Sequence, residues 1–170
     1  MNRHLELARQ RARAGDAYVL RLARDLDEPW NQELIAYWNQ FGDGIGAPAS
    51  AMVPAGVKNV DARAVRVSPS TVLSIVPQDL NIVVERIETR STSAFDLIIG
   101  TNIFIYYDVF EQSLALANVS RMLRAGGLFL SNDFLNLLPA IPLNTVGFTD
   151  VGYSPSASGS GDRVFWYQRQ

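Results

Sequence analysis

The chain has 170 residues, 48% of them apolar, and a formal net charge of −2. That is enough for a domain with a real core, and too hydrophobic for a disordered chain. The near-neutral charge argues against a strong nucleic-acid footprint. No apolar run reaches the length a bilayer needs, and the lack of cysteine excludes disulfides, thiolate metal sites and a cysteine nucleophile.

The single histidine, His4, stands near the N-terminus without an evident partner, so a Ser-His-Asp triad or a histidine-rich metal site is not expected. Of the 15 basic residues only Lys58 is lysine, which we read as a base-composition bias. The Arg-rich N-terminus has no apolar segment of the signal-peptide kind, and the expected location is the cytoplasm.

Residues 3–26 read as a helix with a break at Gly15. Leu5, Ala8 and Ala12 share one face; Tyr18, Leu22 and Leu26 share another. Arg9, Arg11, Arg13, Arg21 and Arg24 form a solvated face. Pro29 interrupts the pattern, and Asn31–Phe41 reads as a second helix with Leu34, Tyr37, Trp38 and Phe41 as its apolar stripe. Residues 42–59, rich in Gly, Ala and Pro, read as a loop. Val60–Val67 is a predicted strand. Ser68-Pro69 then gives a cap followed by proline at the first helical position, opening a short helix that Pro77 stops.

Leu80–Ile87 reads as a strand and Glu88–Ser93 as a polar connector. Phe95–Gly100 reads as a strand buried on both faces. Asp108 and Glu111 form a capping-box pattern at the start of a helix over Val109–Leu123. Ala115, Leu116, Val119, Met122 and Leu123 mark its buried stripe, and Gly126-Gly127 is read as its end. Leu128–Ser131 is the next strand, and residues 134–142 form a proline-broken apolar stretch. Val146–Tyr153 and Arg163–Gln168 read as two strands around a flexible tip at 154–161.

Residues 95–132 therefore encode strand, polar loop, helix, glycine turn and strand, which is one βαβ unit. Ligands in doubly wound sheets bind at the carboxyl ends of the strands, where Gly100, Thr101 and Asn102 fall. The expected organisation is a helical segment and loop over 1–59 packed with an α/β domain over 60–170. The expected fold is a doubly wound, Rossmann-like mixed sheet with an antiparallel C-terminal hairpin.

This block resembles the C-terminal half of class I S-adenosylmethionine-dependent methyltransferases. "FDLIIGTN" is similar to the fourth strand, "DVFEQSLALANVSRMLRAGG" to the helix and turn, and "LFLSND" to the fifth strand. "NTVGFTDVGYS" and "GDRVFWYQRQ" match the antiparallel pair that closes that family's sheet. "FDLIIGTNIFIYYD" also resembles chemotaxis-receptor methyltransferases of the CheR type. Ala125 stands where the family usually has proline. The resemblance implies S-adenosylmethionine as cofactor, Gly100, Thr101 and Asn102 in the cofactor pocket, and Tyr106 and Tyr107 flanking an unidentified methyl acceptor. Asp96 reads as a structural residue.

The family's glycine-rich loop and ribose-binding acid have no clear match. Gly42-Asp43-Gly44-Ile45-Gly46 has the Gly-x-Gly pattern, but it follows helical spacing rather than an aliphatic strand, and the pattern alone is weak. Asp61 suits the ribose only if Val57–Val60 is the second strand. In the family the first strand lies between the second and the fourth. A chain without it must pair its fourth strand differently, borrow a strand from a partner such as a second copy, or be the C-terminal piece of a longer protein. The expectation is a truncated or divergent methyltransferase domain. The alternatives are a non-catalytic binding or assembly domain of the same fold and an unrelated nucleotide-binding or hydrolase domain.

Overall fold

The computed structural model describes residues 2–53, 55–89, 94–152 and 161–170. The chain divides into two compact units, the first running to Gln78 and the second starting at Asp79. It is a mixed α/β protein with two sheets, one wholly antiparallel and one mixed.

The first unit opens with α1 (Asn2–Arg13), which stops before Gly15. That glycine has φ +81°, a left-handed conformation that ends helices at little cost. The predicted helical continuation is instead β1 (Tyr18–Asp25). From Leu20 onward its burial alternates residue by residue, the period of a strand. Tyr18, Leu22 and Leu26 fit a helical face equally well on paper, and the left-handed glycine between the two segments decides the outcome.

α2 (Gln32–Gln40) begins at Asn31, whose side chain accepts a 2.7 Å hydrogen bond from the Leu34 N–H. β2 (Gly46–Ala49) lies inside the predicted loop. Pro48 cannot donate to a ladder, which suits it to an edge strand such as this one. β3 (Val60–Val67) forms as predicted, but it sits between β1 and β2 and is antiparallel to both. α3 (Pro69–Ser74) is capped by Ser68, with proline in its first turn. Ala8 and Ala12 of α1 pack with Val67 and Val72 to form a small core.

The second unit contains β4 (Phe95–Gly100), α4 (Val109–Met122), β5 (Leu123–Ser131), β6 (Leu143–Gly152) and β7 (Gly161–Arg169). The sheet order is β4-β5-β7-β6; β4 and β5 are parallel and the other neighbours antiparallel. α4 is the crossover between the parallel strands. Its capping box is complete, with Asp108 accepting from the Glu111 N–H and Glu111 from the Asp108 N–H.

Three expectations fail in this unit. Leu80–Ile87 is not a strand. Asn81 bonds the Val83 N–H and its own N–H goes to Glu85, while Asn118 of α4 donates to the Ile82 and Val83 carbonyls. Such local side-chain bonds compete with ladder formation. The Gly126-Gly127 pair does not end α4, because the helix has already turned extended at Leu123. It lies in a bulge of β5, where Phe95 and Leu97 oppose Leu123 and Leu128. Gly126 takes φ +74° there, and a Cβ on Gly127 would stand 3.0 Å from the Phe95 carbonyl oxygen.

Third, β4 is not buried on both faces. Paired residues point to the same side of a sheet. On one side Ile98, Phe129 and Tyr167 align, and Phe129 and Tyr167 are fully buried with α4 residues Ala115, Leu116 and Val119. On the other side Leu97 aligns with Leu128, and Ile99 with Leu130 and Trp166. Leu97 is 47% exposed and Ile99 60%.

The antiparallel C-terminal pair forms as predicted, and Arg163 and Asp150 bridge it at 2.6 Å. The predicted tip falls outside the described residues except at Gly161, as does the predicted connector beyond residue 89. None of the described helices is long and apolar enough to cross a membrane.

Candidate functional site

The carboxyl ends of β4 and β5 lie side by side, with Gly100 paired to Ser131. Beyond them the chain leaves the sheet through Thr101-Asn102 and Asn132-Asp133. Gly100 is buried, and a Cβ there would meet the rings of Phe104 and Phe129 at 3.1 Å. Aromatic packing under the strand therefore accounts for this glycine. Thr101 is exposed.

Asn102 holds φ +56°, a left-handed conformation in which asparagine is enriched. Its N–H donates to Asn132 Oδ1, and Asn132 Nδ2 donates to Asn102 Oδ1, both at 2.8 Å. The two amides thus clasp the strand ends together. Asn132 carries no candidate role in the sequence, although its position directly after β5 mirrors that of Asn102 after β4.

Asp133 is the second residue that sequence reasoning misses. Its Oδ2 is buried and has no hydrogen-bond partner. Burial pushes the carboxyl above its usual 3.8, and a hydrogen bond with the Ile105 backbone partly offsets this. An unpaired buried carboxylate oxygen is costly and is a recognised mark of functional positions. Tyr167 lies alongside. Its hydroxyl accepts from the Leu135 N–H at 2.8 Å and donates to the Asp133 carbonyl at 3.4 Å. Burial raises the Tyr167 pKa, the Leu135 bond lowers it, and the Asp133 charge raises it.

The tyrosines separate. Tyr106 is 76% exposed. Tyr107 is half-buried, its ring edge-on to Phe104 at 6.1 Å, and its carbonyl accepts from Gln112 at 3.1 Å. Asp96 is bonded by Arg124, a structural role as its position suggests.

A cavity of about 390 Å³ opens beside β4, bounded by Ile82, Ile87, Ile98, Phe104, Met122 and other apolar side chains. Gly100 and Tyr107 reach it; Thr101, Asn102 and Tyr106 do not line it. The region therefore has a polar end at the strand termini and an apolar chamber beside the strand.

Gly42-Asp43-Gly44-Ile45-Gly46 lies in the first unit, in the turns entering β2. A Cβ on Gly42, which has φ +88°, would collide with Val65, and Gly46 abuts the β3 backbone. Local packing explains both glycines. Asp61 lies on β3, opposite Arg24. Neither feature belongs to the unit that carries the strand ends.

The chain matches no protein-family model, and no curated protein matches it.

Proposed function

We propose that the second unit is a divergent class I methyltransferase-like domain, with S-adenosylmethionine as its ligand and an unidentified methyl acceptor. The observation that carries this reading is the order of the second sheet: two parallel strands joined by a capped helix, closed by an antiparallel pair. The resemblance drawn from residues 95–170 implies that arrangement, and the doubly wound fold belongs to the same proposal.

In this reading Asn102, held rigid by Asn132, presents polar groups at the ends of β4 and β5, and Gly100 borders the chamber. Methyl transfer is an in-line displacement, so the protein's part is to position donor and acceptor. Tyr106 is exposed where an acceptor could be met. The family's glycine loop has no clear match in the sequence of this unit.

The test is calorimetric titration of the full chain with S-adenosylmethionine and with its demethylated product. Binding is expected, and Asn102→Ala should weaken it about tenfold, equivalent to one lost hydrogen bond of about 1.4 kcal/mol. A folded chain that takes up neither compound overturns the proposal. That result would favour the second reading, a non-catalytic assembly domain, which the lack of a clear glycine-loop match and the open apolar edge of β4 support.

A further inference from the structure

β4 is paired with β5 along one edge, and among the described residues no strand lies along the other. Open edges expose unpaired N–H and C=O groups, and soluble proteins usually blunt them with charge, proline or a bulge. The centre of β4, Leu97-Ile98-Ile99, carries no charge or proline. The acidic residue of β4, Asp96 just before this centre, is already engaged by Arg124. The apolar cavity wraps this same edge, since residues from both faces of β4 (Leu97 and Ile99 on one, Ile98 on the other) line it.

An occupant must therefore meet two demands together. It needs apolar side chains for the cavity and hydrogen-bonding groups for the strand edge. A hydrocarbon chain meets only the first, and a nucleotide or sugar only the second. An extended apolar peptide meets both, which is the logic of strand addition.

β4 itself is such a peptide. In an antiparallel pair of two β4 strands centred on Ile98, Ile98 faces its own copy above the cavity. Leu97 faces Ile99 of the other copy, twice, and Asp96 faces Gly100, which has no side chain to obstruct it. No like charges meet. Two-fold symmetry closes the contact, so neither copy keeps that edge open. A stable interface needs about 800 Å² per partner, more than one short strand provides. Ile103, which follows β4 and lines the same cavity, is 41% exposed, and Ile105 and Phe110 further along the chain are 56% and 70% exposed.

We propose that the protein forms a homodimer through antiparallel pairing of β4 with β4 of a second copy, giving one continuous eight-stranded sheet. The inference stands on the edge and the cavity and does not depend on S-adenosylmethionine binding. Sedimentation of the full chain over a concentration series should show twice the 18.8 kDa chain mass, falling toward 18.8 kDa on dilution. A wild-type chain that stays monomeric throughout overturns the proposal without any variant. Leu97→Lys should abolish the dimer. Leu97→Lys combined with Ile99→Glu should restore it, because position 97 faces position 99 of the other copy. Circular dichroism verifies that each variant is folded. A folded Leu97→Lys that remains dimeric, or a folded double variant that remains monomeric, overturns the proposed pairing.

Discussion

The two units use similar numbers of residues in opposite ways. The first has three antiparallel strands and three short helices, and a small core of Ala8, Ala12, Val67 and Val72 against which Tyr18 and Leu20 pack. Small side chains allow close approach but bury little apolar area. The second builds its core around packed rings: Phe129 stacks on Tyr167 at 5.8 Å and meets Phe104 at a tilt at 5.5 Å, with Leu116, Val119 and Leu123 in the same core. Yet this better-packed unit leaves apolar surface on β4 exposed. Both sheets end in open edges, but the second unit leaves the apolar residues Leu97 and Ile99 of its edge strand β4 exposed, whereas the edge strand β2 of the first carries a proline.

Phe129→Ala is the hardest test of that contrast. It removes a fully buried ring and should cost about 3–5 kcal/mol. Val72→Ala in the first unit should cost only about 2 kcal/mol. Trp30 and Trp38 report on the first unit and Trp166 on the second, so denaturant melts of Trp166→Phe and of Trp30→Phe/Trp38→Phe backgrounds separate the two. If Phe129→Ala shifts both reporters equally, the units do not unfold independently and the comparison fails.

Tyr167→Phe is gentler. It keeps the ring and leaves the Leu135 N–H, bonded at 2.8 Å, without its acceptor. A loss of about 1–2 kcal/mol is expected, confined to the Trp166 transition. An unchanged melt would mean that the hydroxyl does not anchor the segment after β5.

The smallest effect concerns Asp133 and depends on pH. Burial holds its folded pKa above the ordinary 3.8. The folded protein therefore binds this proton more tightly than the unfolded chain does. The resulting stability is complete below the unfolded pKa and is lost as pH rises through the folded one. Asp133→Asn removes that loss, so its melting temperature should gain on wild type from acid to neutral pH. A difference that shrinks toward neutrality would show that Asp133 is better solvated ionised in the folded state than its burial implies.

Local chemistry explains which elements the sequence reveals. Asn31, Ser68-Pro69 and Asp108 with Glu111 act within one helical turn, and the helices they start stand where they were predicted. Phe95–Gly100 was equally plain, because a six-residue apolar run before a polar loop has few other uses. Its exposure was not, since burial depends on what lies beside the strand. Gly15 and Asn81 redirected segments whose apolar spacing suited two structures. Asn132 and Asp133 carry no signal in the sequence, because their significance arises only when β5 aligns with β4. An asparagine becomes a clasp only when another stands 2.8 Å away.

That clasp has a consequence for recognition. Asn102 and Asn132 hold each other, and the capping box fixes the start of the next helix, so the carboxyl end of the sheet is preorganised. A ligand arriving there would meet groups already in place and would lose little binding free energy to ordering them. Selectivity would then rest on the ligand's shape and donor pattern, because a pinned surface cannot mould itself to every comer.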